Sequence, residues 1–243
     1  MTGSNAESGF GTQLLRAGYH IAELTNLSGL SMTSDPIDVT SNDSDDSCRE
    51  YIAGIRDGGE LSIEGNFILT DAYGQVQLKT DMLAGTRREF EMVFPMSMGA
   101  SWVFNGDVTA FDTSAPIDDK VSVSATIKVS GKPTLITTQS TGLTTTFLAI
   151  VDDSDNVITL SPALAGDTYE YTGTALTAAT GVNITPVAAA GVILIDGTVV
   201  ATTAESGSIT LGAAGTKIGI WVSVKEAGKS SKIYKLTIMR ASA

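Results

Sequence analysis

Cysteine and histidine are almost missing from this chain, which holds only Cys48 and His20. One cysteine excludes a disulfide within the chain, so packing alone must hold the fold. A zinc site of the usual kinds draws several ligands from Cys and His, and two such residues do not supply them. A Ser-His-Asp triad would have to be built on His20, in a Gly- and Leu-rich N-terminal stretch, and no GxSxG nucleophile elbow occurs anywhere. Long apolar runs are also lacking: none approaches the roughly 18 residues that span a bilayer. The opening MTGSNAESGFGTQ lacks the basic-then-apolar layout of a signal peptide, so a soluble product of the cytoplasm is expected. Charge is sparse at 17%, with a net of −12. Residues 1–133 carry 9 Lys+Arg against 19 Asp+Glu, and residues 134–243 carry 6 against 8. An acidic first half without clustered Lys and Arg argues against a surface that grips phosphates through counterion release.

What is present is a mainly β pattern in two textures. The first half holds most of the Asp, Met, Phe and Arg, and the second is rich in Thr, Ala, Gly and Val. A boundary is placed at Gly131-Lys132-Pro133, where Pro133 suits a linker because it cannot donate to a sheet ladder. Domains 1–133 and 134–243 are the expected division. In the first, Val121, Val123, Ala125, Ile127 and Val129 alternate with Ser122, Ser124, Thr126, Lys128 and Ser130, the period of a strand with one buried face. Leu61, Ile63, Phe67 and Leu69 predict a second strand, Phe90, Met92 and Phe94 a third, and Trp102 to Ala110 a fourth, broken at Asn105-Gly106. One helix is expected from Asp71, as cap, to about Ala84, with Gly85 ending it and Ala72, Tyr73, Val76, Met82 and Leu83 facing the fold. In the second half, Asp196-Gly197 between Val192–Ile195 and Thr198–Val200 reads as a two-residue hairpin. Ile218, Ile220, Val222 and Val224, and then Tyr234, Leu236 and Ile238, keep period two. Short strands with Gly and Pro turns and no helix predict an immunoglobulin-like sandwich.

The segment from Ser31 to Asp57 is packed with Ser, Asp and Asn and reads as a long loop, a length at which structureless connections are usually functional or disordered. Ile37, Val39, Tyr51, Ile52 and Ile55 at its flanks are candidate contacts for a neighbouring subunit, and Gly54, Gly58 and Gly59 are candidate hinges. Those glycines do not follow a dinucleotide or phosphate-loop spacing. Asn42 to Asp46 and Asp152 to Asn156 offer oxygen atoms to a hard cation, but the former lacks the Gly and Glu of an EF-hand loop, and both read as solvated turns. Arg87-Arg88 reads as a pair of surface or intersubunit ion pairs rather than a phosphate site. No pair of carboxylates is singled out for glycoside cleavage.

The order of these features resembles the major tail (tail tube) protein family of long, non-contractile-tailed bacteriophages. The likeness rests on Leu27-Ser28-Gly29-Leu30, on Asp35 to Thr40 leading into the acidic loop, and on Ile55 to Gly65. The single helix, Phe90 to Pro95, Trp102 to Val108 and the closing strand Ala125 to Pro133 complete it. The second half looks like the immunoglobulin-like or cadherin-like modules appended to phage structural proteins, through Ser161 to Leu164, Tyr169, Tyr171, the Val192 to Gly197 hairpin and Tyr234 to Ile238.

The first resemblance implies a β-sandwich with a flanking helix and a non-enzymatic virion protein, made in the host bacterium's cytoplasm, needing no cofactor. Six copies would close into a ring by edge pairing, and rings would stack through the long loop. DNA would pass through the lumen without specific binding, and the tape measure, tail tip and terminator proteins would be further partners. The second domain is expected outside the tube, with host surface glycans as candidate ligands. A virion or cell-surface adhesion module, its second domain binding carbohydrate, is the alternative reading.

Overall fold

The computed structural model describes residues 7–165 and 168–242. Residues 1–6 of the stretch read as lacking a signal peptide lie outside it. The chain runs through β1 (Gln13–Arg16), β2 (Tyr19–His20), β3 (Leu24–Gly29), β4 (Thr33–Asp38), β5 (Tyr51–Asp57) and β6 (Glu60–Asn66) to helix α1 (Gln75–Ala84). It continues through β7 (Arg88–Val93), β8 (Ser101–Ser114), β9 (Ser122–Ile136), β10 (Leu143–Asp152), β11 (Glu170–Ala175) and β12 (Gly181–Ala188). It closes with β13 (Val192–Ile195), β14 (Thr198–Val200), β15 (Ile209–Thr210), β16 (Lys217–Lys225) and β17 (Lys232–Arg240). Seven strands are ordered β2-β1-β7-β8-β9-β6-β3, and β4 with β5 forms a sheet of its own. Residue contacts define two compact units, one of residues 21–90 and 103–134 and the other of residues 1–20, 91–102 and 135–243.

In the unit of 21–90 and 103–134, Val123, Ala125, Ile127 and Val129 are buried as the period-two pattern requires, and so are Leu61 and Ile63. Their outward neighbours on β6 are exposed. Phe90 stacks on Phe104 with centroids 5.8 Å apart. Four expectations need correction here. β8 does not break at Asn105-Gly106; a Cβ on Gly106 would lie 2.5 Å from Ile127 Cγ2, so glycine serves close packing rather than a turn. β6 ends at Asn66, and Leu69 is exposed. The 131–133 stretch read as a linker is extended strand inside β9, with Gly131 at φ 80° taking the irregular position. The helix starts at Gln75 rather than beside Asp71.

Asp71 nevertheless organises that start. Its carboxylate accepts the Gly74 and Gln75 amides and also that of Ala22. Gly85 closes the helix at φ 60°, in the left-handed region that favours glycine. The face turned inward is Gln75, Leu78 and Asp81, while Tyr73 and Leu83 are exposed. The side-chain amide of Gln75 satisfies the Ala22 and Asn66 carbonyls and accepts the Ile68 amide, and Asp81 accepts Arg88 at 3.2 Å. Polar side chains thus hold the helix, which an apolar-stripe criterion cannot detect.

In the other unit, the three-stranded sheet β10-β12-β15 and the five-stranded sheet β11-β17-β16-β13-β14 share one core, including Ile150, Val182 and Ile184 from the first and Ile220, Val222 and Leu236 from the second. Asp196 and Gly197 turn the β13–β14 hairpin at φ 44° and 74°, as read from the sequence. Leu15, Val93 and Ile233 form a smaller cluster with Met96 and Trp221 against it. Glu91, 2% exposed, accepts Ser101 Oγ, the Ser231 amide and Ser231 Oγ at 2.7–2.9 Å. Period two along β7 puts Phe90 and Met92 on one face, and β7 buries Glu91 and Val93 of the other face as well. Glu226 accepts Ser140 Oγ, Thr141 and Lys229, the Lys229 ammonium chief among the bonds that hold its pKa down at about 2.

His20 lies flat on the Trp221 indole, with ring centroids 3.6 Å apart, and Lys235 Nζ is 5.4 Å from the centroid of the same indole. Burial, then the Lys235 charge, lowers the His20 pKa from 6.5 to about 3. A base whose folded pKa is depressed is neutral in the native state and takes up its proton on unfolding. Its contribution is therefore complete above pH 6.5 and is lost as pH falls toward 3. Wild type is expected to lose about 3 kcal/mol more than His20→Phe between pH 7 and pH 4, read from urea midpoints at each pH. Parallel loss in the two proteins would show that His20 titrates freely.

Candidate assembly surface

The exposed face of β6 carries Glu60, Ser62 and Glu64. Register places Lys128, Thr126 and Ser124 of β9 beside them, and Ser28 and Asn26 of β3 on the other flank. The result is a sheet face of carboxylates, hydroxyls and amides. Its lysine is already engaged: Lys128 Nζ lies 2.8 Å from Asp57 and 3.9 Å from Glu60. Asp57 in turn accepts the Gly59 amide, and the Lys128 and Gly59 bonds hold its carboxyl below the usual range. Arg87 is paired through two nitrogens with Asp107, and Arg88 with Asp81, so both read as intrachain ion pairs. A phosphate approaching this face meets acceptors and few free cations.

The segment 31–57 is not a structureless loop. β4 and β5 pair antiparallel as a two-stranded arm, Ile37 opposite Ile52 and Asp38 opposite Tyr51. Every residue of β4 is exposed, as is every residue of β5 except the half-buried Gly54. The pairing was hidden from the sequence because neither face is buried, and because a bulge interrupts the alternation. Between the Ser34–Arg56 and Pro36–Ala53 pairs β4 advances two residues and β5 three, so Gly54 and Ile55 both oppose Asp35. A Cβ at Gly54 would lie 2.1 Å from the Asp35 carbonyl oxygen, so this glycine serves the bulge within β5.

Gly58 and Gly59 do sit at the root of the arm, but in close contact. A Cβ at Gly58 would meet Val129 Cγ1 at 2.5 Å, and Gly59 adopts φ 79° while its carbonyl accepts the Val129 amide. The tip is closed by short-range bonds: the Thr40 amide to Asp38, Ser44 Oγ to Glu50 and the Cys48 amide to the Asp45 carbonyl. The Thr40 side chain and then its amide lower the Asp38 pKa. Among the described residues no group of three or more His, Cys, Asp or Glu side chains is arranged to hold a metal ion.

Of the candidate contact residues, Ile37 and Ile52 form a cross-strand pair on one face of the ribbon, and Val39 continues that face past the end of β4. Tyr51 lies on the opposite face with Pro36 and Ala53. All five are exposed, Ile55 at 90%. Met32 at the arm's root is exposed too and was not singled out from the sequence. A ribbon with so many uncovered apolar side chains presents a surface suited to another protein.

Residues 5–136 match the family model described as lambda phage tail tube protein. Among solved structures, the tail of an empty gene transfer agent particle is 22% identical, with a TM-score of 0.46 over 53% of this chain and 98% of its own. The cap of the anti-feeding prophage tube is 12% identical, with a TM-score of 0.46 over 56% and 95%. The sheath/tube terminator of an extracellular contractile injection system is 11% identical, with a TM-score of 0.44 over 54% and 97%. Comparison with curated proteins finds no match.

Proposed function

Because the chain belongs to the lambda phage tail tube protein family, and so has a structural, non-enzymatic role in the phage tail, we propose that its copies close into six-membered rings that stack into a conduit for DNA entering the host. The observation that carries this reading is the arm, an exposed apolar ribbon with no cover of its own. A two-stranded ribbon is marginal in water by itself, and stacking against the next ring would bury what the free subunit leaves bare. The face of Glu60, Ser62, Glu64, Ser124 and Thr126 is our candidate for the lumen, where repulsion and small hydroxyls let a polyanion slide. Assembly takes place in the infected cell, and the tube ends meet the tape measure, tip and terminator proteins.

We assign residues 134–243 to an immunoglobulin-like module on the outside of the tube of a long, non-contractile tail, a role supported by the module's own two-sheet core. Its removal uncovers Leu15, Val93 and Met96. A chain ended at Pro133 therefore needs polar residues at those three positions to stay soluble, and is then expected to polymerise.

Negative-stain microscopy of the purified protein tests the central reading: rings or tubes are expected. Discrete particles that bind glycans would favour an adhesion module instead. Tubes are also expected to show no appreciable affinity for double-stranded DNA near 150 mM salt. Tight binding with a steep salt slope would require a basic lumen and rule out this lining.

A further inference from the structure

We propose that the outer edge of β5 is a strand-addition site, at which an edge strand of a second copy of this chain pairs main chain to main chain. The proposal rests on the stacking role given to the arm and specifies how the arm grips. β6 is paired on both sides, with β3 and with β9, and the β6–β9 ladder ends at the Glu60–Lys128 pair. Just beyond it the Val129 amide bonds Gly59, and there β9 and the arm part. β5 continues toward the tip with β4 on one side and, among the described residues, no strand on the other.

Hydrogen-bond phase along the arm identifies the groups left facing outward. Val39 donates to the Glu50 carbonyl at 3.0 Å, so that pair holds a bonded position across the ribbon, with the Glu50 amide taken by Thr40 Oγ1. In an antiparallel ladder bonded and non-bonded pairs alternate, so Ile37–Ile52 is also bonded, whereas Asp38–Tyr51 and Pro36–Ala53 are not. Pro36 agrees with this phase, since it has no amide to give. The amides and carbonyls of Tyr51 and Ala53 therefore point away from β4.

The two edges of the arm are unequal. The β4 edge lacks a donor at Pro36 and carries Asp38, devices that discourage pairing. Along β5, Tyr51-Ile52-Ala53 has neither proline nor charge and retains its donors. The pairing strand we assign is β3. It is one of the two terminal strands of the seven-stranded sheet, six residues against seven in β5 where the other, β2, has two, and it is bonded on one side to β6. Its mostly exposed side chains include Thr25, Asn26 and Ser28, so it comes to a second copy with a free ladder and no apolar cost.

The test is hydrogen exchange at Tyr51 and Ala53 in the free full-length subunit and in assembled tubes. Exchange at both is expected to slow by about 100-fold or more on assembly. Equal exchange at both in the two states overturns the inference. Ala53→Pro removes one outward donor and no bond to β4, so it is expected to keep its thermal midpoint and lose at least tenfold in elongation, while Ala53→Val elongates normally. If Ala53→Pro fails to fold, the wild-type exchange result still decides. A variant with the arm replaced by a Gly-Ser linker separates the two levels: long tubes from it overturn the stacking role itself. Loss of its tubes together with unchanged exchange at Tyr51 and Ala53 of the wild type on assembly overturns only the strand pairing.

Discussion

Changing Ile37 and Ile52 together to Asp is expected to leave a folded, soluble subunit that makes no long tubes. Both side chains are about half exposed and paired with each other across the arm, so the folded subunit draws little from them. Stability should change by less than about 1 kcal/mol, the scale of a cross-strand pair. Docked against another copy, each isoleucine would bury surface equivalent to about 1.5 kcal/mol or more, and an aspartate there would instead bury a charge. Each factor of ten in affinity is about 1.4 kcal/mol, so the double substitution should weaken stacking by at least about 100-fold. Replacing Asp38 to Arg49 with a short Gly-Ser linker should act in the same direction. Sedimentation of assembled material beside the thermal midpoint of the free subunit separates assembly from folding. Tubes of normal length from the double variant would make the arm a solvated projection.

Glu91→Ala is expected to produce the largest loss of stability, about 3 kcal/mol, visible as a lower urea midpoint. The carboxylate is almost fully buried and is the acceptor for Ser101 Oγ, the Ser231 amide and Ser231 Oγ. Lys225 Nζ stands 3.8 Å away and loses this ion-pair contact with the substitution. Glu91→Gln keeps the volume and one acceptor oxygen, so it should recover part of the loss. A change below about 0.5 kcal/mol in Glu91→Ala would mean that water replaces the carboxylate without cost. This residue was invisible in the sequence, where a glutamate between Phe90 and Met92 reads as the solvent face of a strand.

The arm shows why some features are legible and others are not. Length and Asp content marked 31–57 as unusual, and the apolar flanks marked Ile37, Val39, Tyr51, Ile52 and Ile55. Strand pairing there could not be read, because a pattern reports burial and this ribbon buries neither face. A bulge at Gly54-Ile55 further removes the period that would have betrayed it. The helix and its end at Gly85 were legible, but its inward face was not, since Gln75 and Asp81 face inward through hydrogen bonds and an ion pair.

The sequence by itself determined the β class, the buried faces of β6, β9, β16 and β17, the Asp196-Gly197 hairpin, and the lack of residues for zinc or triad chemistry. These follow from local rules: side-chain period, turn residues that accept positive φ, and the inventory of reactive groups. Only the tertiary structure decided that β4 and β5 pair, that Glu91 meets Ser231, that His20 lies on Trp221, and that Gly131 to Pro133 runs as strand. Each of these depends on partners brought together by the fold: Glu91 and Ser231 are 140 positions apart, and no local pattern encodes the partner that satisfies a buried carboxylate.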